Sequence, residues 1–218
     1  QQRKIVYTSS NWYAFYSNND TVFYEKSADG VTWGSAVTVD ATGSIANGPF
    51  APTAWVEGTT IYVAWLRDTG DTINVNTINT ASSDALGTQC ATGDLGTFND
   101  VAANDFPSLA VADDGTVYVV VGGTNTGIVE KLVFSGCTFT DITTGSGLTT
   151  NDVSAVTTIG NNFHVVFQDD TGLSHSVYNG TSWTTVGGTL SESEAQQGGQ
   201  QRKIVYASSN WYAFYSNN

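Results

Sequence analysis

Methionine is absent from this chain. Cysteine, proline and histidine are nearly so, with two, three and two residues among 218. Lys and Arg together number seven against 20 Asp and Glu, which leaves a net charge of −13. A phosphate-binding surface needs clustered bases, so seven scattered ones exclude a nucleic-acid partner. They argue equally against attraction to an anionic membrane. No apolar run approaches the roughly 18–20 residues of a spanning helix, and membrane insertion is not expected. Without an initiator methionine or a basic-then-apolar leader, the chain reads as mature or as a piece excised from a longer one. Sustained helical periodicity is also missing, and 23 Gly with abundant Thr and Asn disfavour helix. What is present is aromatic: six Trp, ten Tyr and ten Phe are too much apolar surface to leave in water, which excludes disorder. The length suits one all-β domain or two small ones.

The ends of the chain repeat each other. Residues 2–19 and 201–218 differ at one position, Thr8 against Ala207, at an offset of 199 residues. Divergent structural repeats do not stay this similar. The chain therefore reads as one full period, 1–199, followed by the start of the next, 200–218.

A weaker repeat lies inside the period. Short apolar runs begin at Trp12, Ile61, Val117, Phe163 and, as the copy of the first, Trp211. Each follows another apolar stretch and a turn rich in Gly, Asn, Asp or Ser, the residues that tight hairpins require. A third strand is expected at 22–26, 73–78, 128–134 and 173–178. A fourth hairpin carries Gly30, Thr32 and Trp33; Gly136, Thr138 and Phe139; Gly180, Ser182 and Trp183; and, in degenerate form, Gly87 to Cys90. Each unit of about 50 residues thus holds four short antiparallel strands. One such meander cannot bury its own apolar face, whereas radial stacking of several gives a β-propeller. The expected fold is all-β: four blades per period, at about 3–49, 50–106, 107–150 and 151–199, plus a duplicated half blade. A sandwich or solenoid of the same meanders is the competing architecture.

Ser27-Ala28-Asp29-Gly30-Val31-Thr32-Trp33 resembles the Asp-box, or BNR, repeat, a hairpin between the third and fourth strands of a propeller blade. The other copies keep only the Gly-x-Thr/Ser-Trp/Phe half. The resemblance implies a propeller, with Asp29 accepting backbone N–H bonds and Trp33 packing the hairpin. It also raises sialidase-like chemistry, which implies three arginines, a Tyr nucleophile with a Glu, and an Asp acid/base. Arg3, Arg67 and Arg202 are the arginines available, and Arg3 and Arg202 are one position in two copies. Two independent arginines cannot supply the triad. Asp68, Asp113, Asp114, Asp169 and Asp170 lie in Gly/Thr-containing hairpins and read as turn formers rather than as a two-carboxylate hydrolase. His164 and His175 have no third ligand beside them in sequence. No enzymatic activity and no cofactor are expected; calcium in the Asp-rich loops is a weak signal only.

Cys90 and Cys137 fall in equivalent hairpins of neighbouring units and are read as one disulfide, which fits an extracellular or cell-surface setting. Asn19 and Asn179 match the glycosylation pattern. The duplicated end points to assembly. In a closed ring, Ile5, Tyr7, Trp12 and Phe15 would compete with Ile204, Tyr206, Trp211 and Phe214 for the same two strands. The functional expectation is a structural or adhesive repeat that joins copies of itself into strings or filaments. The alternative is a glycan-binding module using Trp55, Tyr178 and Trp183. A five-bladed ring completed by a partner is a third reading.

Overall fold

The computed structural model describes residues 4–18, 21–40, 52–67, 72–93, 107–121, 127–148, 153–169, 172–190, 203–207 and 210–214. Arg3, Asn19, Asp68, Asp170 and Arg202 lie outside them. The chain forms two compact units, Gln1–Asn99 and Asp100–Asn218.

The first unit contains two sheets. Strands β1 (Lys4–Thr8), β2 (Asn11–Asn18), β3 (Thr21–Ser27) and β4 (Val37–Thr38) form a meander in chain order. The next meander is β5 (Thr53–Glu57), β6 (Thr60–Arg67), β7 (Thr72–Asn79) and β8 (Ala85–Leu86), with β9 (Cys90–Ala91) also pairing β7. All pairings are antiparallel. Register explains which residues enter the core, because side chains alternate across a strand. Tyr13 and Phe15 are fully buried, while Tyr7, opposite Trp12, stays exposed. β1 lies beside β5, and Thr8 Oγ1 donates to the Gly58 carbonyl at 3.0 Å. The buried face of the first sheet, with Tyr13, Phe15, Val22 and Tyr24, is thus the one turned to the second. The second sheet answers with Ile61, Val63 and Trp65, all fully buried.

The second unit contains β10 (Pro107–Val111), β11 (Val117–Val121), β12 (Ile128–Val133) and β13 (Thr138–Asp141) as a third meander. The fourth is β14 (Val153–Ile159), β15 (Asn162–Asp169), β16 (Gly172–Tyr178) and β17 (Trp183–Leu190). A two-stranded sheet, β18 (Lys203–Ala207) and β19 (Asn210–Phe214), follows. β14 lies between β10 and β18. Tyr118 stacks on Phe163 at 4.6 Å between centroids with planes 8° apart, which joins the third and fourth sheets. The all-β expectation and the four antiparallel meanders hold, and β18–β19 repeats the register of β1–β2 pair for pair.

The fourth strand is less regular than the sequence repeat suggests. β4, β8 and β9 span two residues each, whereas β17 spans eight. The turn before it also takes two forms. In the first and fourth sheets Gly30 and Gly180 occupy left-handed φ values of 73° and 94°. In the second and third, 3₁₀ turns at Thr80–Ser82 and Phe134–Gly136 end on Ser83 and Cys137 at φ 54° and 48°. Gly136 is therefore not the counterpart of Gly30: Cys137 takes the left-handed position.

Candidate functional site

The turn after β3 is built from its sequence outward. The Asp29 carboxylate Oδ1 accepts from the Val31 and Thr32 N–H groups at 2.8 and 2.7 Å and from the Ser27 hydroxyl at 2.9 Å. The Gly30 N–H donates back to Ser27 Oγ at 2.9 Å. Donors aimed at the ionised form, Thr32 N–H first, hold Asp29 well below the usual carboxylate range. A Cβ at Gly30 would sit 3.2 Å from Trp12 Nε1, so glycine also lets the indole lie on the turn. Asn179 does the same work before β17: its Oδ1 accepts from the Thr181 and Ser182 N–H groups at 3.0 and 2.9 Å. Sequence reading began that motif at Gly180 and missed Asn179 as the isostere of Asp29. The oxygen of this glycosylation-pattern asparagine is thus engaged in its own turn.

Polar pairs of titratable groups lie among the described residues of the sheets. Asp84 accepts from the Tyr13 hydroxyl and from Lys26 Nζ, each at 2.7 Å, with Lys26 5.5 Å from the Tyr13 ring centre. Burial, and then the Asp84 bond, push the Tyr13 hydroxyl pKa well up. Arg67 donates to both oxygens of Asp40 at 2.6 Å, and the Asp40 side chain is fully buried. Glu130, 3% exposed, sits opposite Asp141. Burial, with the Asp141 charge second, pushes its carboxyl up to about 7. His164 Nδ1 and His175 Nε2 are 3.1 Å apart on β15 and β16. Burial, then the neighbouring ring, lowers His164 to about 4, and burial lowers His175. Both imidazoles are neutral at pH 7.

Of the acidic candidates read from sequence, Asp113, Asp114 and Asp169 are described, and they gather in no acidic group of three or more. Asp114 accepts from the Thr116 N–H at 2.9 Å and its own N–H donates to Asn161 Oδ1. Asp113 N–H donates to the Gly160 carbonyl, and Asp169 ends β15. Asp40 and Asp84 are instead held by hydrogen bonds from side chains on other elements, and Glu130 lies opposite Asp141. Sequence reading passed over them because each partner is distant in the chain. Among the described residues no group of three or more His, Cys, Asp or Glu gathers as a metal site. No helix there is long and apolar enough to cross a membrane.

The aromatic candidates change as well. Trp183 donates from Nε1 to the Ile142 carbonyl at 2.6 Å and packs on Tyr178 and Phe163 at 5.2 and 5.9 Å. Tyr178 is buried and Trp55 half-buried. Trp183 and Tyr178 thus pack against each other, and Trp183 against Phe163. The exposed ring pair is on the first sheet: Tyr7, 54% exposed, lies 4.8 Å from Trp12, 39% exposed, with Ile5, 52% exposed, beside them. Neither Cys90 nor Cys137 is a free thiol.

No family model matches the chain, and no curated protein does. Solved structures do share its fold. The major Malassezia sympodialis allergen Mala s 1 matches over 98% of this chain and 71% of its own, at 12% identity and a TM-score of 0.56. A mutant Aleuria aurantia lectin in complex with α-methyl-L-fucoside matches over 98% and 70%, at 11% identity and 0.56. An α-L-arabinofuranosidase from Clostridium thermocellum matches over 99% and 81%, at 14% identity and 0.50. These likenesses place the meanders in the β-propeller class of fold. They also correct the exclusion of enzymatic activity. The missing arginine triad argued against sialidase chemistry alone, whereas a glycosidase of another kind is built on the same fold.

Proposed function

We propose that this chain is a carbohydrate-directed β-propeller module. The observation that supports the reading is the fold. The same run of antiparallel meanders carries a lectin holding a fucoside and an arabinofuranosidase, each matched over nearly the whole of this chain. Fold alone does not fix chemistry, so the reading rests on two proteins with different activities that share a ligand class. Its test is a pull-down of the folded chain on immobilised fucosyl and arabinofuranosyl oligosaccharides, run beside release of nitrophenol from the matching aryl glycosides. Retention without release makes the chain a lectin, and release makes it a glycosidase. Neither retention nor release overturns the reading; a chain that shows neither does.

The finer features belong to the same proposal. We take the 199-residue period as four blades. The Ser27–Asp29–Gly30 turn, with its Asn179 counterpart, supports kinship with the Asp-box repeats. The absence of free thiols supports an oxidising, extracellular setting. A second reading, assembly into strings through the duplicated ends, is favoured by one observation. Two stretches identical but for Thr8 and Ala207 form the same hairpin in the same register.

A further inference from the structure

The first sheet has one covered and one open face. Tyr13, Phe15 and Tyr24 are buried on the face turned to the second sheet, whereas Ile5, Tyr7 and Trp12 on the other are 52%, 54% and 39% exposed. Contiguous exposed apolar side chains of this size mark an interaction surface. What such a face fits is visible in the second unit. β18–β19 is a copy of β1–β2, with Tyr206 paired to Trp211 as Tyr7 is to Trp12. β18 lies beside β14 of the fourth sheet. Because Thr158 Oγ1 donates to the Val111 carbonyl at 2.6 Å and Phe163 stacks on Tyr118, the opposite face of the fourth sheet is the one turned to β18. By register that face carries Ala155, Thr157, His164, Val166, His175 and Val177. It mixes three apolar side chains, Ala155, Val166 and Val177, with three polar ones and, with both imidazoles neutral, carries no charge.

We propose that the open face of the first sheet docks on the fourth sheet of a second copy of this chain, in the place that copy's own β18–β19 occupies. The inference rests on the assembly reading above and names its two surfaces. One sequence competes for one slot from two positions in the chain, so exchange replaces a contact with its equivalent at little net change. The interface is heterologous: first sheet to fourth sheet, copy after copy, giving rings if the rotation closes and open strings if it does not. The C-terminal hairpin is then a built-in competitor that limits assembly, not the arm that drives it.

Sedimentation equilibrium of the full chain over a concentration series tests this. Three proteins are compared: the unmodified chain, the double variant Ile5→Lys and Tyr7→Lys, and the variant Trp211→Lys. Circular dichroism and melting establish that each is folded. The unmodified chain associates reversibly. Charging the open face weakens association by about tenfold or more. Trp211→Lys weakens the competitor and strengthens association. A chain that stays monomeric overturns both the docking and the assembly reading. Association that Trp211→Lys abolishes and the double variant leaves intact overturns this docking while upholding assembly through the C-terminal strands. If Trp211→Lys unfolds the chain, Tyr206→Lys replaces it, with the same expected sign.

Discussion

Individual side chains here matter chiefly as partners. Asp29 organises its turn as an ionised acceptor, and Asn179 does so without charge. Asp29→Asn should therefore keep most of the turn, while Asp29→Ala lowers the melting temperature at pH 7. A depressed carboxyl contributes stability above its unfolded value of 3.8 that is lost as pH falls, so the Asn variant should also lose part of the acid sensitivity. Asp84 serves two donors. Asp84→Ala strands the Tyr13 hydroxyl and the Lys26 amine, and denaturant titration should show a loss of about 1–3 kcal/mol. Asp40→Ala leaves the Arg67 guanidinium without its carboxylate in a mostly buried site, and the same titration should show about 3–5 kcal/mol. None of these pairings is legible in the sequence: Tyr13 and Asp84 are 71 positions apart, Asp40 and Arg67 are 27. Turn chemistry is local, and Asp29 could be read from seven consecutive letters.

At the scale of strands and sheets, the repeat of apolar runs located the first three strands of every meander, because alternation and turn residues act over five to ten positions. The fourth strand was located too, but with less regular length. There a short edge is positioned by whichever turn precedes it, and a 3₁₀ turn that places Cys137 in the left-handed region has no simple letter pattern. The third and fourth sheets also hold two opposed titrations. Glu130 has a folded value near 7 against 4.5 unfolded, so its contribution is present below 4.5 and lost as pH rises through 7. His164 has a folded value near 4 against 6.5, so its contribution is present above 6.5 and lost as pH falls through 4. Stability measured by urea melts across pH should peak between about 4.5 and 6.5. Glu130→Gln should flatten the alkaline side of that peak and leave the acidic side intact.

For the whole molecule, the 199-residue offset is legible in the sequence, and packing forms two compact units with the division after Asn99. The scarcity of bases removes one catalytic apparatus, the arginine triad, and the acidic and histidine candidates read one by one as turn formers and as residues lacking a third ligand in sequence, although a fold can host many chemistries. Of the aromatics read as sugar-stacking candidates, Tyr178 and Trp183 pack on each other, because a ring that can cover a neighbouring side chain gains more by burial than by exposure. The cysteines give a covalent check: the intact mass of the unreduced chain should fall two hydrogens short of the reduced form.

The central claim is recognition of carbohydrate, and a glycan array probed with the labelled, folded chain tests it most directly. The account predicts saturable binding to a defined set of glycans, lost when the chain is denatured and competed by the free sugar. Uniform background across an array that includes fucosyl and arabinofuranosyl glycans would contradict it.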